Sequence, residues 1–144
     1  MGDVQKYFGL LDHDLKLFDL LTGKIPNHLL KEDFSDWQVT VLFYMACIYL
    51  KAGCNFLNID IQDHFTLRQT INNRKEFYPI ARVYRHLEEA SRDARYEGRK
   101  FEKSYIAERL VPKFNIVRNC VVSFLKENNV SNIPTMEVEN LLNR

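Results

Sequence analysis

The sequence predicts an all-α fold, a single-domain bundle of about five helices joined by short connections. Three observations lead there. Strand signals are nearly absent: five glycines and four prolines punctuate 144 residues, and no Asn-Gly or Asp-Gly hairpin turn occurs. Apolar residues recur at helical intervals along most of the chain. The composition, 46% apolar, 12% aromatic and 27% charged, suffices for one core and excludes intrinsic disorder, a collagen-like repeat or a disulfide mini-protein. No internal repeat, low-complexity tract or long linker divides residues 1–144.

The first helix is expected from an Asp3 cap to Gly23, with Val4, Phe8, Leu11, Leu15 and Phe18 on one face and Leu21 extending it. Ile25-Pro26-Asn27 breaks it, and His28 to Lys31 has room for one short turn. The second helix starts at a Ser35 or Asp36 cap and ends at Gly53. Between Trp37 and Ala52 only Gln38, Thr40 and Lys51 are clearly polar, so it belongs in the middle of the bundle. Cys54 to Ile61 reads as a loop. Asp63 can cap a short third helix that Asn72-Asn73 ends. Pro79 opens the fourth, which runs to Tyr96 or Gly98 with Ile80, Val83, Leu87, Ala90 and Ala94 on one face. A fifth extends from a Ser104 cap to about Asn128. Its stripe of Ile106, Leu110, Phe114, Val117, Val121 and Phe124 keeps phase across Pro112, which predicts one kinked helix. Ile133-Pro134-Thr135 restarts a short terminal helix able to dock Met136, Val138, Leu141 and Leu142.

Charge is segregated. Residues 1–67 hold 5 basic and 9 acidic groups, residues 68–100 hold 9 and 5, and residues 101–144 hold 6 and 5, giving −4, +4 and +1. The net charge of +1 excludes a generally basic nucleic-acid sponge. One basic segment remains, mostly the fourth helix. Cys47, Cys54 and Cys120 are odd in number and form no C-x-x-C, which points to reduced thiols. The start, MGDVQKYFGLLDHD, carries acids where a signal peptide needs a basic lead. The longest uncharged apolar stretch, Val41 to Leu50, is short of the ~20 residues of a membrane span. A soluble, cytoplasmic protein without membrane contact is the expectation.

The best functional pattern is the arginine stripe. Arg85, Arg92 and Arg99 stack at heptad spacing opposite the apolar face, with Arg82 and Arg95 flanking and Tyr96 on the same side able to stack a base. Planar guanidinium forks suit phosphate. The plainer alternative is a solvated face, with Glu88 pairing Arg92 and Arg85 pairing Glu89. An acidic protein surface, including residues 1–67 of a second copy, is another counterpart. Of the histidines, His13 falls on a polar helix side and His28 in a loop. His64 lies near a helix N-terminus with Arg68 one turn later. There the dipole favours a neutral imidazole, and His64 with Arg68 could do acid–base work on a phosphodiester. No helical histidine pair, H-E-x-x-H or Cys/His cluster suggests a metal. No G-x-G-x-x-G, P-loop or G-x-S-x-G suggests a cofactor or nucleotide hydrolysis.

Three segments together resemble a known family: Asp36-Trp37 with Phe43-Tyr44-Met45-Ala46; His64-x-x-x-Arg68; and Tyr84-x-x-Leu87-x-x-x-Ser91-Arg92-Asp93-Ala94-Arg95-Tyr96. Their order and spacing are similar to small prokaryotic HEPN-domain proteins over roughly residues 5–125. The resemblance implies an up-and-down helical bundle, commonly a homodimer. Many such proteins are metal-independent endoribonucleases of toxin–antitoxin and antiviral defence systems; others are non-catalytic RNA- or nucleotide-binding partners. A partner such as a nucleotidyltransferase-type antitoxin is implied with them. The chain departs from the catalytic pattern R-x4-6-H: Arg82-x-x-x-His86 is one residue too short, and Ile48 stands where relatives often carry histidine. Three readings result: an RNA- or nucleotide-binding module using Arg85, Arg92, Arg95, Tyr96 and Arg99; a ribonuclease using His64 and Arg68; or a protein-interaction subunit.

Overall fold

The computed structural model describes residues 4–23, 33–135 and 138, and among them the fold is all-helical without strands. Helix α1 (Gln5–Gly23) buries Val4, Phe8, Leu11, Leu15 and Phe18 against α2 (Ser35–Phe56). The Asp3 cap and the expected break and turn between the two helices lie outside the described residues. Helix α2 is the central element, packed on α1, α4 and α6. Leu42, Met45, Ala46, Leu50, Ala52 and Cys54 are each fully inaccessible. By length and composition alone its 22 residues, mean hydropathy 1.4, would reach across a bilayer, unlike the shorter stretch expected. However, 78% of that apolar window is buried inside the bundle.

Both ends of α2 differ from expectation. Neither Ser35 nor Asp36 caps it: Phe34 holds the N-cap position with no side-chain bond. The Ser35 N–H instead donates to Asp33 Oδ1 at 2.8 Å, and the Ser35 hydroxyl accepts the Phe101 N–H at 2.8 Å, tying the loop after α4 to α2. At the other end Gly53 does not stop the helix. A Cβ there would stand 2.8 Å from Phe77 Cζ, so the glycine makes room for a ring. The helix continues to Phe56 and closes in a Schellman turn. The Asn58 N–H bonds Asn55 O at 2.9 Å, the Ile59 N–H bonds Cys54 O at 2.9 Å, and Asn58 takes φ 62°.

Helix α3 (His64–Asn73) starts as expected, with Asp63 accepting the Thr66 N–H at 2.7 Å. This bond holds the Asp63 carboxyl below the usual carboxylate range. Pro79 lies in a 3-10 turn (Tyr78–Ile80) that leads into α4 (Ala81–Tyr96). Helix α4 stops at Tyr96, and Gly98 at φ 63° turns the chain away. Arg99 is therefore not on the helix. Its guanidinium returns to Asp93 Oδ2 at 3.1 Å and covers the Phe101 ring at 4.6 Å.

Helix α5 (Lys103–Tyr105), a π-helical stretch (Ile106–Leu110) and α6 (Val111–Glu127) form one continuous run. Glu102, without a side-chain bond, takes the N-cap position assigned to Ser104. The irregularity precedes Pro112 rather than following from a simple kink. Proline offers no N–H and its ring presses on the carbonyl four residues earlier, Glu108, and a widened turn relieves both. The expected stripe is buried from Ile106 to Val121, with Phe124 half-buried. Residues 133–135 are not helical, against expectation. The Tyr49 hydroxyl donates to the Pro134 carbonyl and Val138 is buried, so both residues are held against the bundle. The rest of the expected terminal helix falls outside the described residues.

Candidate functional site

Helix α4 presents three stripes. Leu87, Ala90 and Ala94 face the core, and Arg85 and Arg92 face solvent. Between these runs Tyr84, Glu88, Ser91 and Arg95, spaced i, i+4, i+7 and i+11, which share one side of a helix. This third stripe meets Phe43, Tyr44 and Cys47 of α2 and Arg68 of α3.

Glu88 is its buried hub, 5% exposed. Arg68 Nη1 lies 3.4 Å from Glu88 Oε1 and Arg92 Nη2 lies 3.9 Å from the same oxygen. One carboxylate thus orients two guanidiniums from different helices, and both keep exposed donors. The anticipated Glu88–Arg92 pair is present, but Arg68 is the nearer partner. Arg85 joins them by lining, with Arg68, Asn72, Ala81 and Tyr84, a hollow of about 190 Å³.

Arg95 comes from the far end of the stripe. Its Nε donates to Ser91 O at 3.3 Å and its Nη1 to the Tyr44 hydroxyl at 3.1 Å. Its guanidinium carbon stands 5.5 Å from the Tyr44 ring centre and 5.1 Å from that of Tyr96. On the other side of this aromatic pair His64 packs 5.7 Å from Phe43 and 6.1 Å from Tyr44, centre to centre. His64 and Arg95 therefore converge on one face, separated by Tyr44. Arg92 reaches it through Glu88. Tyr96 is 73% exposed and free to stack. Arg99, paired with Asp93, stands apart and leaves the group.

Two side-chain atoms of this face, His64 Nδ1 and Ser91 Oγ, are buried without a hydrogen-bond partner. Native proteins rarely leave such atoms unpaired. Burial, reinforced by Lys51 and Arg95, holds His64 below the usual imidazole range; Glu88 opposes this and Arg68 adds to it. The neutral ring is thereby favoured over the charged one. Deeper in, burial pushes the Cys47 thiol up to about 12 and raises the Tyr84 phenol well above its usual range, so this pair, 3.8 Å apart, is inert packing. Cys54 is buried as well. Among the described residues no three His, Cys, Asp or Glu side chains gather as a metal-binding set.

Sequence reasoning missed Tyr44, Glu88 and Ser91 as site members. Their signal is the polar spacing of the third stripe, which disappears when α4 is divided into only an apolar and an arginine face. The chain matches no protein-family model, no curated protein and no solved structure, so the arrangement of side chains carries the functional argument.

Proposed function

We propose that this chain is an HEPN-like helical module that binds RNA or a nucleotide through the α2–α3–α4 face. The observation that carries the reading is the set of cations around one buried carboxylate. Arg68 and Arg92 share Glu88, Arg85 lines a hollow with Arg68, and Arg95 bonds Ser91 O and the Tyr44 hydroxyl beside them. The excess positive charge is presented as fixed guanidinium forks, which suit phosphate oxygens better than a flexible ammonium does. Tyr44 and Tyr96 lie beside Arg95 and offer rings to unpaired bases. A homodimer, and a setting in toxin–antitoxin or defence systems with a protein partner, belong to the same proposal. The test is binding of a fluorescent RNA oligomer over a salt series. Affinity falls steeply and log-linearly with salt if guanidiniums displace counterions; a flat response refutes the reading.

A second reading, a metal-independent ribonuclease, is favoured by one observation: the buried His64 Nδ1 has no hydrogen-bond partner, and its surroundings, Arg68 and Arg95 among them, favour the neutral ring. Neutral imidazole can take the 2′-hydroxyl proton, and an arginine can stabilise charge developing on phosphorus. RNA cleavage in EDTA that disappears in His64→Ala, with the helical circular-dichroism signal intact, supports it. Cleavage surviving that substitution removes His64 from the chemistry.

A further inference from the structure

The hollow between α3 and α4 has the make-up of an anion pocket. It measures about 190 Å³ and is lined by Arg68 and Asn72 of α3 and by Ala81, Tyr84 and Arg85 of α4. Arg68 and Asn72 stand four residues apart, as do Ala81 and Arg85, so each pair lies on one side of its helix. Among the described residues no acid lines the hollow. Glu88 holds Arg68 at 3.4 Å, but the Arg68 side chain is 38% exposed and keeps further N–H donors. Arg85 and Asn72 are exposed, and among the described residues neither enters an ion pair or a side-chain hydrogen bond. Ala81 is the first residue of α4, where the helix dipole presents its positive end. Tyr84 is buried, with its hydroxyl 3.8 Å from Cys47 Sγ, so its ring closes the hollow on the inner side.

We infer that this hollow receives a terminal phosphate monoester of RNA or of a nucleotide in preference to an internal phosphodiester; the inference rests on the reading that the arginine face binds RNA or a nucleotide. Charge and size both favour a chain end. A monoester carries about −1.5 to −2 charges at neutral pH and three outer oxygens, which the guanidiniums of Arg68 and Arg85 and the Asn72 amide can share. An internal phosphodiester offers a single charge and brings a sugar on each side. Pockets that enclose whole small molecules begin at about 300 Å³, so a hollow of about 190 Å³ holds a phosphate but not both sugars. A terminal phosphate enters with its one sugar left outside, and the bases stay free for Tyr44 and Tyr96.

The test uses the full chain and internally labelled RNA oligomers of one sequence, carrying a 5′-phosphate, a 3′-phosphate or hydroxyls at both ends. A further oligomer, hydroxyl-ended and one nucleotide longer, adds an internal phosphodiester instead. At one fixed salt concentration a phosphate at one end or the other tightens binding about tenfold, the worth of one charge-assisted hydrogen bond, and the extra nucleotide changes it by less than about twofold. Arg85→Gln removes the gain, so that phosphorylated and hydroxyl-ended oligomers bind alike. Asn72→Asp does the same by setting a carboxylate in the hollow, with the circular-dichroism spectrum confirming the fold of both variants. Inorganic phosphate reverses the gain only at millimolar concentration; reversal at the oligomer's own concentration would make free phosphate the ligand and overturn the inference. Equal affinity for all the oligomers, or a gain that survives both substitutions, overturns the terminal-phosphate site, while salt-dependent binding leaves the arginine reading standing. Failure of every oligomer to bind overturns both.

Discussion

The two sides of α2 are built on different terms. Toward α6, Tyr49 packs 6.1 Å from Phe114, and Phe77 sits over Gly53 with Phe124 5.6 Å from it, ring centre to ring centre. The buried Tyr49 hydroxyl on that side is paired, donating to the Pro134 carbonyl. Toward α3 and α4, one turn round the same helix, Tyr44 bears on Arg95 and His64, while Glu88, His64 Nδ1 and Ser91 Oγ are buried polar groups with weak or no partners. The first side gains stability from close packing. The second gives some of it up to hold charge and hydrogen-bonding capacity in place. A helix apolar nearly all round thus carries two jobs, and substitutions on the two sides should separate stability from binding.

The largest effect is expected on the packed side. Phe77→Ala removes a fully buried ring wedged between Gly53 and Phe124 and costs about 3–5 kcal/mol in urea unfolding. RNA affinity per folded molecule stays as it was. Gly53→Ala fails in the opposite direction, by overfilling: its Cβ meets Phe77 at 2.8 Å, so unfolding experiments should show a loss of about 1–3 kcal/mol. An unchanged midpoint would mean that the ring swings aside.

Gly53 also marks what could be read from the sequence. Periodicity placed α1, α3 and the long final run, because each keeps an apolar stripe and Asp63 is a strong local cap. Gly53 reads as a stop only if its surroundings are ignored; a ring 24 positions later decides its role. Similarly, Arg99 fits the heptad stripe on paper, but Gly98 at φ 63° takes it off the helix. At the site, the arginine stripe and the His64–Arg68 pair were visible as local patterns. The Glu88 hub was not, because its partners come from α3 and α4 together and only their packing brings Arg68 within 3.4 Å.

Smaller effects should appear on the polar side. Asp63→Ala loses the α3 cap, lowers the urea midpoint slightly, and loosens His64 and Arg68, so RNA affinity falls with it. In an NMR titration His64 should protonate below the ordinary histidine value of about 6.5. Because the folded value is depressed, its contribution to stability is full above the unfolded pKa and is lost as pH falls through the folded one. Glu88→Gln should lower the His64 value further, since Glu88 is the group that favours its charge; a rise would contradict the proposed arrangement.

The central claim is that the third and outer stripes of α4 bind phosphate without contributing much to the fold. The measurement closest to it is RNA affinity at fixed salt for Arg92→Gln with Arg95→Gln, paired with urea unfolding of the same protein. Arg92 is exposed and its ion pair is long, so stability should change by less than about 1 kcal/mol. Affinity should fall at least tenfold, alike for all RNA sequences, and the salt slope should flatten by about two. Unchanged affinity in a fully folded double variant would contradict the account and return these arginines to the role of a solvated, salt-bridged helix face.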